Sequence, residues 1–265
     1  MAIGSLSVAH GNSPPASFSH ELLDQVVRSY VDSAGNVDYQ ALQRGRQPLD
    51  QYLDSLAVVG PRSHPGRFPT PQHELAYWLN AYNAFVLTGI VDAYPVASVM
   101  DIEAGEFFKR RRFTAGGDSL SLDALENEIV RPLYRDPRVH FALNCGAKGC
   151  PALARTAFSG ADLDSHLDAA QDRFMREPRH VRLDREQSVI YLSNILNWFG
   201  ADFTTWSPAA SASADGGDRS IIDYLILYLP DDAADYLRAH MQVDIIFVEY
   251  DWSLNAQSLA PGLSE

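Results

Sequence analysis

The chain has 265 residues, of which 46% are hydrophobic and 21% are charged. This composition supplies enough apolar side chains for a core and excludes collagen-like, coiled-coil and wholly disordered chains. The 21 Lys and Arg residues against 34 Asp and Glu residues leave a formal net charge of −13. Because so negative a surface repels phosphate backbones and anionic lipids, we expect neither nucleic acids nor membranes as partners.

Three further features bear on the cellular location. Residues 1–10 contain no basic stretch before a long apolar run, so no signal peptide is expected. The most apolar segment, residues 221–229, is about half as long as a membrane span and contains Asp223. The chain has two cysteines, Cys145 and Cys150, so we expect no disulfide framework. These features predict a cytoplasmic protein.

The predicted elements indicate an α+β protein. Residues 1–17 are small and polar and are predicted to be a flexible lead-in to a single domain over residues 18–265, in which 207–219 form a mobile loop. In the first half of the chain we predict helices over 22–30, from Pro48 and over Thr70–Tyr94, then a hairpin over 113–120 and a helix from Ser121. A buried strand over Arg138–Asn144, a helix from Ser159, a hairpin over 181–192, a short helix through Trp198 and Phe199, two more helices and a strand over 243–250 follow. Because helices and hairpins segregate, the fold class is α+β, with a central buried helix packed on a small, mostly antiparallel sheet and surrounded by further helices.

The predicted helix over Thr70–Tyr94 carries apolar residues around most of its circumference, which indicates a central position. Asn80 and Asn83 are three residues apart and therefore neighbours on one face. Asparagine is unfavourable inside a helix because its amide competes with the backbone, so both side chains need partners. They either form a structural hydrogen-bond network or contact a ligand.

Glu126 falls on the apolar stripe of the helix predicted from Ser121. A buried carboxylate must be paired, hydrogen-bonded or protonated. Glu126 is therefore a candidate functional acid, unless its carboxyl group reaches solvent at the edge of the helix.

The segment from His140 to Pro151 joins a predicted strand to a glycine-containing turn with two thiols, Cys145 and Cys150. A thiol becomes nucleophilic when a nearby cation stabilises its thiolate, and Lys148 is close in sequence. In a regular strand His140 and Asn144 share one face, and Cys145 lies on the other. Pairing of His140 with Cys145 would therefore require a bend.

Glycine at position 146 could supply that bend, which makes Cys145 the predicted functional thiol of the two. Three other interpretations of the cysteines remain. They could be inert core residues, a redox pair, although their spacing differs from C-x-x-C, or zinc ligands together with His140. Zinc is the least favoured because the spacing matches no compact zinc site, and we predict neither a metal nor another cofactor.

Four motifs occur in order and resemble the family called domain of unknown function 547. They are Tyr77-Trp-Leu-Asn-Ala-Tyr-Asn-Ala84, Leu120-Ser-Leu-Asp-Ala-Leu-Glu126, Asp136-Pro-Arg-Val-His-Phe-Ala-Leu-Asn-Cys-Gly-Ala-Lys-Gly-Cys-Pro151 and Tyr250-Asp-Trp-Ser-Leu-Asn255. The resemblance extends from about Val37 to Asn255 and implies no established reaction. It suggests a distant likeness to papain-like and transglutaminase-like thiol enzymes. Members of the family often have histidine after the motif glutamate, where this chain has Asn127.

Two classes of function follow from these residues. The first is a thiol-dependent hydrolase or acyl-transfer enzyme, with catalytic residues Cys145, His140, Glu126 and Cys150. The second is a non-catalytic module that binds a small polar molecule or peptide, and the predicted ligand-binding residues are Asn80, Asn83, Asn144 and Lys148. A redox pair of Cys145 and Cys150 is the remaining alternative.

Overall fold

The structure, a computed structural model, describes residues 17–206, 220–240 and 242–258. The predicted flexible lead-in, apart from Ser17, and the predicted mobile loop at 207–219 lie outside these ranges. The helices are α1 (Glu21–Tyr30), α2 (Tyr39–Arg44), α3 (Gln47–Val58), α4 (Pro71–Ala93), α5 (Phe107–Arg110), α6 (Leu122–Ala124), α7 (Arg131–Tyr134), α8 (Val139–Ala142), α9 (Leu163–Arg176), α10 (Asn194–Trp198), α11 (Gly200–Thr205), α12 (Ile221–Tyr228) and α13 (Asp231–Ala239). The strands are β1 (Phe113–Ala115), β2 (Asp118–Leu120), β3 (Val181–Asp184), β4 (Val189–Ser193) and β5 (Asp244–Val248).

Helix α4 is the central element, as its apolar circumference predicts. It begins with Pro71 directly after Thr70, the order that favours helix initiation. Every residue from Leu75 to Val91 is buried. Its neighbours are α2, α3, α6, the segment that follows α6, and α9, so other helices cover it on several sides.

Two small sheets complete the α+β fold. Strands β1 and β2 form an antiparallel hairpin, and β3, β4 and β5 form a sheet in that order. Strand β3 is antiparallel to β4, whereas β5 runs parallel to β4. Both predicted hairpins and the predicted terminal strand are confirmed, and the three-stranded sheet packs on α9 and α10.

The predicted strand over Arg138–Asn144 is wrong. Residues Val139–Ala142 form the helical turn α8, and the chain becomes extended at Leu143. The Asp136 carboxylate accepts the backbone N–H of Arg138 at 2.9 Å, which favours a turn at that point. A short, fully buried apolar run fits a buried helix as well as a strand, so periodicity could not separate them. His140 and Cys145 therefore do not lie on opposite faces of a strand.

Helix α8 lies where two apolar clusters meet. The first cluster surrounds α4 and includes Ala142, and the second includes Phe141 together with residues of α9, β3, β4 and α12. Neighbouring residues of one short turn thus belong to different clusters, and the chain that follows α8 leads directly into the cysteine-containing segment. No helix in the described part of the chain has the length and apolar character that a membrane crossing requires.

Candidate functional site

Asn80 and Asn83 attach other segments to the central helix. The amide of Asn80 donates to the carbonyl of Phe158 at 2.8 Å and accepts its N–H at 2.9 Å. Asn83 donates to the carbonyl of Ala142 at 3.0 Å and accepts the N–H of Asn144 at 2.9 Å. Of the two alternatives that the sequence leaves open, this geometry is that of a structural network. A ligand-binding role for these residues stays a prediction.

Asn144 holds the turn that carries the cysteines. Its side-chain amide donates to the carbonyl of Pro151 at 2.7 Å, and its oxygen accepts the N–H of Gly146 at 2.9 Å and the amide of Asn255 at 3.3 Å. Gly146 has φ +82°, the left-handed region that favours glycine. A Cβ atom there would also lie 2.3 Å from Ile90. The turn is therefore fixed by contacts other than those of its sulfur atoms.

The two cysteines are joined in a disulfide, so Cys145 is not the free thiol that the sequence favoured, and the pairing is the one that the redox alternative implies. Their Cα atoms are 6.1 Å apart, and the backbone N–H of Cys145 donates to Cys150 Sγ at 3.0 Å. The hydroxyl oxygen of Tyr250 lies 3.3 Å from the Cys145 sulfur and 3.2 Å from the Cys150 sulfur. Cys145 is partly exposed, whereas Cys150 is buried. Cys145 is therefore the more accessible residue of the pair.

A cavity of about 190 Å³ lies against this disulfide. Its lining includes Glu126, His140, Cys145 and Cys150, so the structure brings together all four residues that the sequence predicts as catalytic. Its walls are largely aromatic, formed by Tyr82, Phe108, Trp198, Phe199, Tyr250 and Trp252. We call this space the aromatic cavity.

The predicted ligand-binding residues lie elsewhere. Asn144 and Lys148 line a second cavity of about 390 Å³, which shares Cys150, Pro151 and Tyr250 with the aromatic cavity. The disulfide and Tyr250 therefore form part of a wall between two cavities. Asn80 and Asn83 line neither of these two cavities.

Glu126 lies in a π-helical segment, Leu125–Val130, inserted between α6 and α7. Such segments are rare and often occur at functional sites. Burial raises the pKa of Glu126 to about 7, although the positive charge of Arg131 and a hydrogen bond from the Tyr82 hydroxyl act in the opposite direction. A carboxyl group with this pKa can both accept and donate a proton near neutral pH.

His140 is buried and held by a carboxylate. Its Nε2 lies 2.8 Å from Asp202 Oδ2, and its ring stacks on Phe199 with centroids 4.0 Å apart. Arg131 binds both oxygens of the same carboxylate, at 2.7 and 3.1 Å. Burial lowers the pKa of His140, and the hydrogen bond that its ring donates to Asp202 offsets this only in part. The imidazole is therefore neutral at pH 7.

The contact with Asp202 also fixes the tautomer of His140. A carboxylate only accepts hydrogen bonds, so the imidazole proton is assigned to Nε2. Burial opposes the ionisation of Asp202, but the hydrogen bonds from His140 and Arg131 prevail and lower the pKa of this carboxyl group. Among the described residues none forms a hydrogen bond with Nδ1 of His140. Nδ1 is thus an unprotonated nitrogen on a residue that lines the aromatic cavity.

Sequence reasoning missed several residues of this site. Arg131 follows Glu126 on the same continuous helical stretch, and Tyr82 and Tyr250 occur within motifs, so these three had a recognisable signal. Asp202 had none, because it is 62 residues from His140 along the chain and lies in a different helix, α11. In the part of the chain that the structure describes, no group of three or more His, Cys, Asp or Glu side chains could hold a metal ion.

The comparison with protein families agrees with the motifs. Residues 67–175 match the family described as protein of unknown function, DUF547. The chain resembles DUF547. The matched residues include α4, Glu126, His140 and both cysteines, whereas Asp202 and Tyr250 lie beyond them, so the match is shorter than the resemblance predicted from the motifs. No curated protein and no solved structure matches the chain.

Proposed function

We propose that the aromatic cavity is a thiol–disulfide exchange site in which Cys145 and Cys150 alternate between a disulfide and a dithiol. The observation that carries the proposal is the arrangement of the pair. Both cysteines line the cavity, and Cys145 is partly exposed whereas Cys150 is buried. The exposed cysteine of such a pair can attack a substrate disulfide, and the buried one can resolve the mixed disulfide that forms.

The atoms, electrons and protons of the exchange balance between the two cysteines and the substrate disulfide. The Cys145 thiolate attacks a substrate disulfide, which forms a mixed disulfide and releases the first substrate thiolate. The Cys150 thiolate then attacks the Cys145 sulfur, which restores the internal disulfide and releases the second substrate thiolate. The two protons lost by the cysteines end on the two released thiols. The protein pair is oxidised, and the substrate disulfide is reduced.

Glu126 and Tyr250 are suited to assist these steps. Glu126 has a pKa of about 7 because burial raises it, so it can accept the thiol proton and return it to a leaving thiolate. The Tyr250 hydroxyl contacts both sulfur atoms, and burial raises its pKa, so it stays protonated and can donate to a thiolate.

The surrounding structure supports reversible reduction. Asn144 holds the turn through three hydrogen bonds that do not involve sulfur. In the chain-entropy model, a disulfide that closes so short a loop stabilises the folded state by only about 2 kcal/mol, which is less than a disulfide across a long loop provides. In the cytoplasm, the compartment that we propose from the sequence, a disulfide is usually transient and takes part in catalysis or redox sensing.

A second candidate uses the reduced state of the same site. The dyad of His140 and Asp202 has the arrangement in which a carboxylate orients an imidazole that accepts a proton from a nucleophile. With Cys145 reduced, this dyad would accept the proton of the thiol, and the thiolate would attack an acyl carbon of the substrate. The bond from that carbon to the substrate's alcohol, amine or thiol group would break, that group would leave with the proton from the imidazole, and the acyl group would remain on Cys145 as a thioester. Water would then release the acid, or an amine the amide. The disulfide would switch such a hydrolase or acyl-transfer enzyme off.

The deciding experiment follows the two thiols separately. We expect dithiothreitol to open the disulfide without loss of the circular dichroism spectrum, and hydroxyethyl disulfide to close it again. After reduction, Cys150→Ser should accumulate a mixed disulfide on Cys145 that mass spectrometry detects, whereas Cys145→Ser should accumulate none on Cys150. Iodoacetamide should label Cys145 first.

Two outcomes would contradict the redox proposal. If reduction unfolds the protein, or if Cys150→Ser forms no mixed disulfide, the bond is a structural link. If the reduced protein instead hydrolyses thioesters, with loss of activity in Cys145→Ser and His140→Ala, the second candidate replaces the first.

A further inference from the structure

The charges that line the aromatic cavity have one sign. Its described lining contains the carboxyl groups of Asp123 and Glu126 and no lysine or arginine. Arg131 lies nearby, but its guanidinium is bound to both oxygens of Asp202. Asp123 accepts a single 3.3 Å hydrogen bond from Asn127, and no Lys or Arg of the described residues forms an ion pair with it. Arg131 acts on Glu126 through its charge, whereas Asp123 has no ion-pair partner among the described residues.

The lining of this cavity includes a cluster of three aromatic rings, two of which are exposed. The ring centroids of Trp198 and Tyr250 are 4.8 Å apart, and those of Tyr250 and Trp252 are 4.6 Å apart. Trp198 is 49% exposed and Trp252 is 37% exposed, although tryptophan is usually well covered. The faces of tryptophan and tyrosine rings attract cations, most strongly when the cation is partly desolvated.

The second cavity shows that this combination is not general to the surface. It is larger, about 390 Å³, and its lining mixes Lys148 and Arg179 with Glu249 and Asp251. Of its described lining residues, Tyr250 is the one aromatic ring besides the imidazole of His180. Of these two cavities, the aromatic cavity alone combines a carboxylate that has no ion-pair partner among the described residues, Asp123, with exposed tryptophans.

We propose that the aromatic cavity binds an organic cation, and that the substrates of the exchange site are thiols or disulfides that carry an ammonium group near the sulfur. Trp198 and Trp252 hold the cation by their ring faces, and Asp123 supplies the opposite charge. Thiols with a carboxylate near the sulfur are disfavoured, because the cavity offers that group no basic partner. The substrate class rests on the proposed function, whereas the binding of a cation does not.

The first experiment measures binding to the oxidised protein, so that no exchange can occur. The probe is tetramethylammonium, its neutral counterpart of similar shape is tert-butanol, and the readout is tryptophan fluorescence with calorimetry. We expect the cation to bind about tenfold more tightly than the alcohol. Asp123→Asn and Trp198→Leu should each remove most of that difference, and Glu249→Gln, which changes a carboxylate of the second cavity, should retain it. Equal binding of the two probes would overturn the inference.

The second experiment measures exchange by the reduced protein with three disulfides of similar size. Cystamine is cationic, hydroxyethyl disulfide is neutral and dithiodipropionate is anionic. After division by the rates with free dithiothreitol, we expect kcat/KM to fall by about tenfold or more from the cationic to the anionic substrate. Asp123→Asn should reduce the difference.

The outcomes separate the two proposals. If all three disulfides react at the same normalised rate, the cationic substrate class is wrong and the exchange site stands. If tetramethylammonium binds as expected but no disulfide reacts, the exchange function is wrong and the cation site stands.

Discussion

Two sets of buried or partly buried polar side chains in this protein have opposite surroundings. In the asparagine set, Asn80, Asn83 and Asn144 bind backbone N–H and carbonyl groups of other segments. In the cavity set, Glu126 and His140 are perturbed in pKa and line the aromatic cavity. The sequence marks both sets in the same way, as polar residues within apolar segments. Their partners, backbone in one set and a cavity in the other, distinguish a structural role from a chemical one.

The two sets should also differ in how their contribution to the free energy of unfolding depends on pH. An amide carries no charge, so the asparagine set contributes equally at every pH at which the protein is folded. A buried carboxyl group contributes differently on the two sides of its pKa. Substitutions in the two sets should therefore give different patterns, and three of them sharpen or break the comparison.

The largest effect is expected at Asn83. Asn83→Ala leaves the carbonyl of Ala142 and the N–H of Asn144 without their partners inside the core. Each unsatisfied buried group costs about 1–3 kcal/mol, so the free energy of unfolding should fall by about 2–5 kcal/mol. Urea denaturation followed by circular dichroism measures this loss.

The matched control is Asn197→Ala, which removes an exposed side chain whose amide donates only to Asn194. Its free energy of unfolding should change by less than about 0.5 kcal/mol. An equal loss of unfolding free energy in the two variants would show that the hydrogen bonds of Asn83 do not stabilise the fold, and would favour a ligand-binding role for this residue.

The second effect concerns Glu126 and depends on pH. Its pKa is about 7 in the folded protein and 4.5 without the protein environment. Between these values the folded state holds a proton that the unfolded state has lost, so stability from this group is full below pH 4.5 and is lost as the pH rises through 7. The loss is at most about 3 kcal/mol.

Glu126→Gln keeps a neutral side chain and should lose less stability than the wild type between pH 5 and pH 8, as urea denaturation at both values would show. Glu128→Gln changes an exposed carboxylate two residues away, and this variant should lose as much stability between pH 5 and pH 8 as the wild type does. If Glu126→Gln and the wild type lose the same stability, the carboxyl group is already ionised at pH 5, and its role as a proton carrier fails.

The sequence predicts one part of this arrangement well and another part poorly. Helix α4 is apolar around its circumference and is bounded by prolines, so its extent and central position follow from local patterns. The segment that leads to Cys145 is a short apolar run buried on all sides, and local patterns do not decide its conformation. All four predicted catalytic residues line one cavity, because each of the four motifs supplies part of its lining.

The partner of His140 could not be predicted for a different reason. Asp202 belongs to α11, a short helix outside the motifs, and only tertiary packing brings it to the imidazole. The pairing of the cysteines remained an alternative at the level of sequence, because a separation of five residues differs from the C-x-x-C spacing of redox motifs. Contacts between segments that are distant along the chain leave no periodic pattern in the sequence from which they could be predicted.

The smallest effect is expected at Asp202, where Asp202→Asn keeps the shape of the side chain and removes its charge. Asp202 raises the pKa of His140 against the larger effect of burial, and Arg131 lowers that pKa. The substitution removes the first influence and leaves Arg131 without its carboxylate, so His140 should titrate at lower pH than in the wild type. NMR titration of the imidazole Cε1 proton measures the shift, and Asp232→Asn, at an exposed carboxylate paired with Arg185, should leave it unchanged. Because the pair of Arg131 and Asp202 is partly exposed, the free energy of unfolding should change by only about 1 kcal/mol.

A His140 that titrates at the same pH in the wild type and in Asp202→Asn would mean that Asp202 does not fix its proton on Nε2. The cavity set would then lose its oriented base and with it the second candidate function, whereas the exchange site, which relies on Glu126 and the two sulfur atoms, would remain.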